Sequence, residues 1–293
     1  MKIIKLPENY SYIAAFLTMR CNLGCSYCLN NLKGSKEFNR VKFKEISGKE
    51  WVKALNKIES RPEVPVTLSG GEPFLHPDFV EIINNLKPGL NIDILTNLQW
   101  PESFMERFIR EVNPKRLRRD SKYASIRVSY HPAQMDARKL AENVKKLQDA
   151  GFSIGVWGIL YPGSDHLSAI NQMQFICKDY GIDFRIKEYT GEYGGELYGD
   201  YSKYKNSILQ GSTNNVLCKT SELIIGPNGN VYRCHRDLYA EENPVGNIND
   251  DEFQISEEFR RCNKYGQCHP CDVKVKTNYK QQLGHTSVEI KKD

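Results

Sequence analysis

Short apolar runs alternate with stretches of helical period from about residue 12 to residue 190. The run Tyr12–Thr18 reads as a first strand, and runs at 64–68, 91–95, 124–129, 152–160 and 182–187 read as five more. A helix is predicted over 47–58, where Ser47 and Glu50 form a capping box. A second over 77–86 places Phe79, Ile82, Ile83 and Leu86 on one face. Pro101 starts a third, with Phe104, Phe108 and Val112 in line. A fourth over 136–149 turns Leu140, Val144 and Leu147 inward and stops at Gly151, and a fifth covers 166–179. Strand–helix units with short connections imply parallel strands joined by right-handed crossovers. Six such units are too few for a closed eight-stranded barrel.

The pattern breaks over 191–215, which is rich in Gly and Tyr and reads either as a linker or as a lid over the strand ends. Residues 216–293 form a small second unit that carries cysteines, and a unit of that size needs a staple such as a metal site. The 293 residues are 40% apolar and 26% charged, the composition of an ordinary globular protein. A net charge of +5 gives little reason to expect an acidic partner. The basic run at 114–119 has no interleaved aromatics and reads as a solvated connection, so no nucleic-acid partner is expected. The start of the chain lacks the long apolar core of a signal peptide, and no apolar run reaches membrane-spanning length. The chain is therefore expected to be cytoplasmic. Nine cysteines in a reducing compartment point to metal binding before disulfides.

Three of these cysteines, Cys21, Cys25 and Cys28, follow the first strand, with three residues and then two between them. Gly24 is expected to let the loop turn tightly enough for the thiolates to converge. Soft thiolates select zinc or iron–sulfur. A structural zinc site wants four protein ligands, and no fourth lies nearby. A triad instead suits a 4Fe-4S cluster with one iron left open. After the second strand comes Ser69, Gly70, Gly71, Glu72 and Pro73, whose glycines allow close backbone approach and whose carboxylate sits at a strand tip.

Together these two motifs resemble the radical SAM superfamily, in which the cysteine triad follows the first barrel strand and an aromatic precedes its last cysteine. That aromatic is Tyr27 here. The resemblance implies an α/β fold: a partial (β/α)6 TIM-like barrel over residues 1–190. It also implies an open iron that chelates S-adenosylmethionine, which one electron cleaves to a 5′-deoxyadenosyl radical. The electron would come from an external donor such as a flavodoxin or ferredoxin. By the same resemblance, Gly70, Gly71, Glu72 and Pro73 hold the amino group of S-adenosylmethionine through backbone and carboxylate. Thr96 and Asn97, ending the third strand, match a pair common in relatives, and Ser129 matches a hydroxyl set against the ribose or carboxylate. Arg127 shares side-chain parity with Ser129 and is a candidate partner for the ligand's carboxylate. Glu188 and Tyr189 end the sixth strand, facing opposite ways, and either could take a proton from a substrate radical.

In the C-terminal unit Cys218 and Cys234 bracket a hairpin whose turn is Asn228 and Gly229. Cys262 follows, and then Cys268 and Cys271 as a C-x-x-C pair. By arithmetic alone this is a four-ligand site that zinc would fit. The layout also looks like a Twitch domain, the shortened relative of the SPASM extension that follows radical SAM barrels. That resemblance assigns one auxiliary iron–sulfur cluster to Cys218, Cys234, Cys268 and Cys271, with Cys262 either spare or displacing one of them. Cys177, on a helix, reads as a small buried apolar residue. The expected function is hydrogen abstraction with net oxidation of a small polar or carbohydrate-type substrate, since a reducing substrate radical needs an acceptor and a nearby cluster supplies one. The alternatives are maturation of a ribosomally made peptide or protein side chain, and a zinc-stapled binding protein without catalysis.

Overall fold

The computed structural model describes residues 2–28, 44–189, 191–198, 214–265, 268 and 288–292. In chain order it begins with β1 (Ile4–Lys5), β2 (Tyr12–Thr18), α1 (Gly48–Leu55), β3 (Ile58–Glu59), β4 (Val66–Gly70) and α2 (Phe79–Asn85). There follow β5 (Ile92–Thr96), α3 (Glu102–Glu111), β6 (Ile126–Tyr130), α4 (Ala137–Asp149), β7 (Ile154–Leu160), α5 (Ser164–Asp179) and β8 (Phe184–Glu188). A hairpin of β9 (Gly191–Tyr193) and β10 (Glu196–Tyr198) comes next. The chain continues through β11 (Asn214–Thr220), β12 (Glu222–Ile225), β13 (Asn230–Tyr232), α6 (His235–Ala240), β14 (Gly246–Asn247), β15 (Arg260–Tyr265) and β16 (Val288–Lys292).

One nine-stranded sheet dominates, in the order β14-β13-β12-β2-β4-β5-β6-β7-β8. From β2 to β8 its neighbours all run parallel. The six expected parallel strands are therefore present, joined by five helices, with a hairpin in place of a sixth helix after β8. The fold is an open, TIM-like partial barrel: β14 and β8 are the two edges, with no closure among the described residues. Ser47 caps α1 with the expected box to Glu50. Asp136 caps α4 by accepting from Lys139. Along β2, Ile13, Ala15 and Leu17 pack against Trp51, Phe79 and the other helix residues, while Ala14 and Phe16 face the opposite side. On β2 that second face is covered too, by Ile224, Tyr232 and Leu238. Burial alternates likewise on β6, with Ile126, Val128 and Tyr130 buried and Arg127 and Ser129 half-buried on the open face.

The hairpin around Asn228 and Gly229 forms as expected, with Ile224 paired to Tyr232 and Gly229 at φ +79°. Its first strand, β12, also pairs in parallel with β2, from Glu222 opposite Tyr12 to Ile225 opposite Ala15. The C-terminal hairpin thus extends the barrel sheet on the edge that carries the cysteine loop. A separate three-stranded sheet, β15-β11-β16, holds Cys218 and Cys262. No helix among the described residues is long and apolar enough to cross a membrane.

Candidate active site

The cysteine loop leaves the C-terminal end of β2 and is fastened by the β4 tip. Gly71 N–H donates to the Thr18 carbonyl at 2.9 Å, and Glu72 N–H to the Arg20 carbonyl at 2.8 Å. A Cβ on Gly71 would lie 2.3 Å from the Arg20 oxygen and 2.5 Å from the Met19 oxygen, and one on Gly70 would lie 2.1 Å from the Thr18 oxygen. The two glycines are therefore needed where two backbones cross, directly below the first cysteine. Arg20 adds a clamp: its guanidinium donates to Glu45 at 2.8 Å and to the Leu75 carbonyl at 2.8 Å. Gly24 does not play the role expected of it. It has no positive φ, and its Cβ would meet nothing within 4 Å. What the loop uses is its N–H, which donates to the Gln134 side chain at 2.8 Å.

Gln134 also donates to Cys25 Sγ at 3.3 Å, and Asn97 Nδ2 approaches Cys21 Sγ at 3.8 Å. Burial pushes the Cys25 thiol up to about 11, and Cys28 and Cys21 add to the shift by their proximity. Three thiols on one loop, near enough to act on one another and touched by two amide donors, are a fitting donor set for an open-site cluster. Among the described residues no three His, Cys, Asp or Glu side chains converge on a single ion. A cluster does not need them to, because each thiolate bonds a different iron and the set surrounds a volume.

Glu72 is fully buried. Its carboxylate accepts from the Thr96 hydroxyl at 2.7 Å and from Asn97 N–H at 2.6 Å, with Trp100 Nε1 at 3.5 Å. Asn97 in turn donates to Asn22 at 2.8 Å. Glu72, Thr96 and Asn97 thus form one chain of contacts from the β4 tip through the β5 tip to the cysteine loop. The enclosed carboxylate faces protein donors, just as the Gly71 N–H faces the Thr18 carbonyl. Burial pushes the Glu72 carboxyl up to about 7, against the pull of those hydrogen bonds. The folded chain then holds the proton more tightly than the unfolded chain. This stabilisation is complete below the ordinary value of 4.5 and is lost as pH rises through about 7. Thermal melts of wild type should fall between about pH 5 and 7 more steeply than those of Glu72→Gln, whose amide does not titrate. Equal slopes in the two proteins would contradict this.

Tyr27 joins an aromatic group at the tips of β6 and β7. Its hydroxyl shares a 2.9 Å hydrogen bond with His131 Nδ1, and its ring lies 4.9 Å from Tyr161 and 5.4 Å from His166. Burial, with His166 adjacent, pushes the His131 imidazole down to about 4, so this ring is neutral. Tyr161 continues the contact to Tyr189 at 5.0 Å and to Tyr193 of the β9–β10 hairpin at 5.1 Å. Of the two residues ending β8, Tyr189 is buried in this group and Glu188 is exposed. Arg127 has its anionic partner inside the chain: Asp93, at 3.3 Å, which also takes a two-pronged contact from Arg119 at 2.8 and 2.9 Å. Ser129 lies farther along the same face, opposite Trp157 on β7.

The second cysteine group is partly described. Cys218 on β11 and Cys262 on β15 stand diagonally on one face, since Val216 pairs with Cys262 and Cys218 with Arg260. Cys234 is the N-cap of α6 and accepts from Asp237 N–H at 3.4 Å. These three and Cys268 line one cavity walled by Val288 and Ile290. Cys271 lies outside the described residues. Cys177 is buried on α5, as expected. Sequence reasoning missed Gln134, His131 and Tyr161. Each follows a strand end, and His131-Pro132 and Tyr161-Pro162 were the available signals, but nothing in one dimension aims them at the cysteine loop.

Residues 16–166 of the 293 match the Radical SAM superfamily, more than half of the chain. The chain is 22% identical over 200 residues to the GTP 3′,8-cyclase of Nautilia profundicola, covering 64% of this chain and 59% of that protein. To the GTP 3′,8-cyclase of a Sulfurovum species it is 24% identical over 187 residues, covering 62% and 56%. It therefore spans less than three fifths of the length of these two relatives. It is also 37% identical over 79 residues to the PqqA peptide cyclase of Gluconobacter oxydans, covering 27% of this chain and 21% of that protein. Among solved structures it is similar to a polyhistidine-tagged anSMEcpe with bound AdoMet, with a TM-score of 0.49 and 14% identity over 85% of this chain and 75% of that one. The loop of three cysteines, the glycine pair beneath it and the parallel sheet that carries both accord with the family match: the chain belongs to the radical SAM superfamily.

Proposed function

We propose that this enzyme joins the S-adenosylmethionine site at the barrel to a second iron–sulfur cluster in the C-terminal unit, and that together they oxidise a small polar substrate. The observation that carries this reading is the second group of cysteines around one cavity. Its Cys218 and Cys234 bracket a hairpin hydrogen-bonded to the strand that leads into the first group. When bound, the first cluster supplies the electron that cleaves S-adenosylmethionine. Cys21, Cys25 and Cys28 hold that cluster, and the Gly70 and Gly71 backbone, Thr96 and Asn97 keep the loop in place. Ser129 offers a hydroxyl on the open face. Arg127, held by Asp93, serves as a rigid wall there. Of the two residues at the end of β8, Glu188 carries the carboxylate that would take a proton from a substrate radical, while Tyr189 packs in the aromatic group and shapes that end of the site. The β9–β10 hairpin, stacked on Tyr161 and Tyr189, acts as a lid that excludes water.

A second reading, ring closure on a nucleotide or a peptide, draws on the names of the relatives. Anaerobic reconstitution tests the common ground. Wild type should bind iron and sulfide for two clusters and release 5′-deoxyadenosine under reduction. Cys234→Ala should lose roughly half of the iron and keep 5′-deoxyadenosine formation. Zinc without visible colour in the C-terminal unit would remove the second cluster. Product analysis with candidate substrates then separates oxidation from ring closure.

A further inference from the structure

We propose that Cys262 is a ligand of the C-terminal cluster, completing the set Cys218, Cys234, Cys262 and Cys268. This rests on the two-cluster reading above and departs from the Cys218, Cys234, Cys268 and Cys271 set that the domain resemblance implies.

Three observations support it. First, the β11–β15 register puts Cys262 on the same sheet face as Cys218, two positions away across the ladder, where neighbouring side chains meet. A shift of one residue would have turned it to the other face. Second, Cys262 lines the same cavity as Cys218, Cys234 and Cys268, from an ordered strand position. Cys218 and Cys262 lie within hydrogen-bond reach of each other.

Third, a buried cation stands beside the group. The Arg233 side chain is 9% exposed. It donates to Asp237 at 3.0 Å and to the Arg261 carbonyl at 3.0 Å, but its Nε has no hydrogen-bond partner among the described residues. Cys218, Cys234 and Cys262 all lie close enough to act on its charge. Asp237 balances the guanidinium's charge, but the buried Nε donor is costly to leave without an acceptor. The sulfurs of a cluster held by these thiolates supply acceptors beside it.

The test uses the full chain with Cys21, Cys25 and Cys28 all changed to Ala, so that bound iron reports only the second site. After anaerobic reconstitution this parent should bind iron and sulfide, and adding Cys262→Ser should cut both at least about fivefold. Adding Cys271→Ser should leave them within a factor of two. Retained iron in Cys262→Ser, with loss in Cys271→Ser, overturns the assignment and leaves the two-cluster reading intact. A parent that binds zinc or no metal overturns both. A measurement on the parent itself covers the case in which Cys262→Ser does not fold. Alkylation followed by mass spectrometry should find Cys262 at least tenfold less reactive after reconstitution than before. Unchanged reactivity at Cys262 in the iron-loaded parent overturns the assignment as well.

Discussion

Cys25→Ala should abolish 5′-deoxyadenosine formation and remove the iron of the first site while the C-terminal iron stays. Cys25 is the most enclosed of the three loop cysteines, 7% exposed, and the Gln134 amide is aimed at its sulfur at 3.3 Å. Removing it leaves two thiolates for a cluster that already has one iron without a protein ligand. The amide of Gln134 then faces an empty space. Two thiolates and a misdirected donor cannot retain a cube whose fourth iron must stay open for the substrate-like ligand. The measurement is 5′-deoxyadenosine by chromatography after dithionite reduction, alongside iron counts. Cleavage at even a tenth of the wild-type rate would show that Cys25 does not bind the cluster.

Gly71→Ala should be nearly as damaging without touching a ligand. The new methyl group would sit 2.3 Å from the Arg20 oxygen and 2.7 Å from the Arg20 carbonyl carbon. These are backbone atoms two residues or fewer from Cys21, so relief must come from moving the cysteine loop or breaking the Glu72 N–H contact to Arg20 at 2.8 Å. Overpacking of this kind costs about 1–3 kcal/mol of stability. A displacement of about 1 Å at a reacting centre can lower the rate about a hundredfold. We therefore expect Gly71→Ala to melt several degrees lower and to cleave S-adenosylmethionine at least about fifty times more slowly. A variant at Gly89, where a Cβ would meet nothing within 4 Å, is the control. Wild-type cleavage by Gly71→Ala would mean that the crossing of the two loops does not position the cluster.

Much of the barrel could be read along the chain because its signals are local. Each strand and helix announces itself by the spacing of its own apolar residues, and the Ser47–Glu50 box and the Asp136 cap form within a single turn. The cysteine triad was legible for the same reason: its ligands lie on one short loop. Gly70 and Gly71 were also visible, but half of their purpose was not. The nearby backbone they accommodate belongs to residues 18–20, some fifty positions earlier.

The C-terminal half shows the reverse. The Asn228–Gly229 turn predicts a hairpin, yet nothing in its residues says that β12 will pair with β2, some two hundred positions away. That Cys262 shares a sheet face with Cys218 depends on strand register, which spacing does not encode. Arg127 could be placed on the open face by parity alone, but its partner Asp93 sits on a neighbouring strand and is found only once β5 and β6 lie side by side.

Local order along the chain was enough to settle the element types, the order of the six parallel strands and their five helices, and the chemistry of the first cysteine loop, because short-range periodicity and loop spacing carry that information. Three-dimensional packing alone decided the enclosure of Glu72, the amide contacts to the thiols, the aromatic group around Tyr27 and the cavity shared by Cys218, Cys234, Cys262 and Cys268. Each of those joins residues far apart in sequence, and their meeting depends on sheet register and helix docking, which only the folded chain as a whole determines.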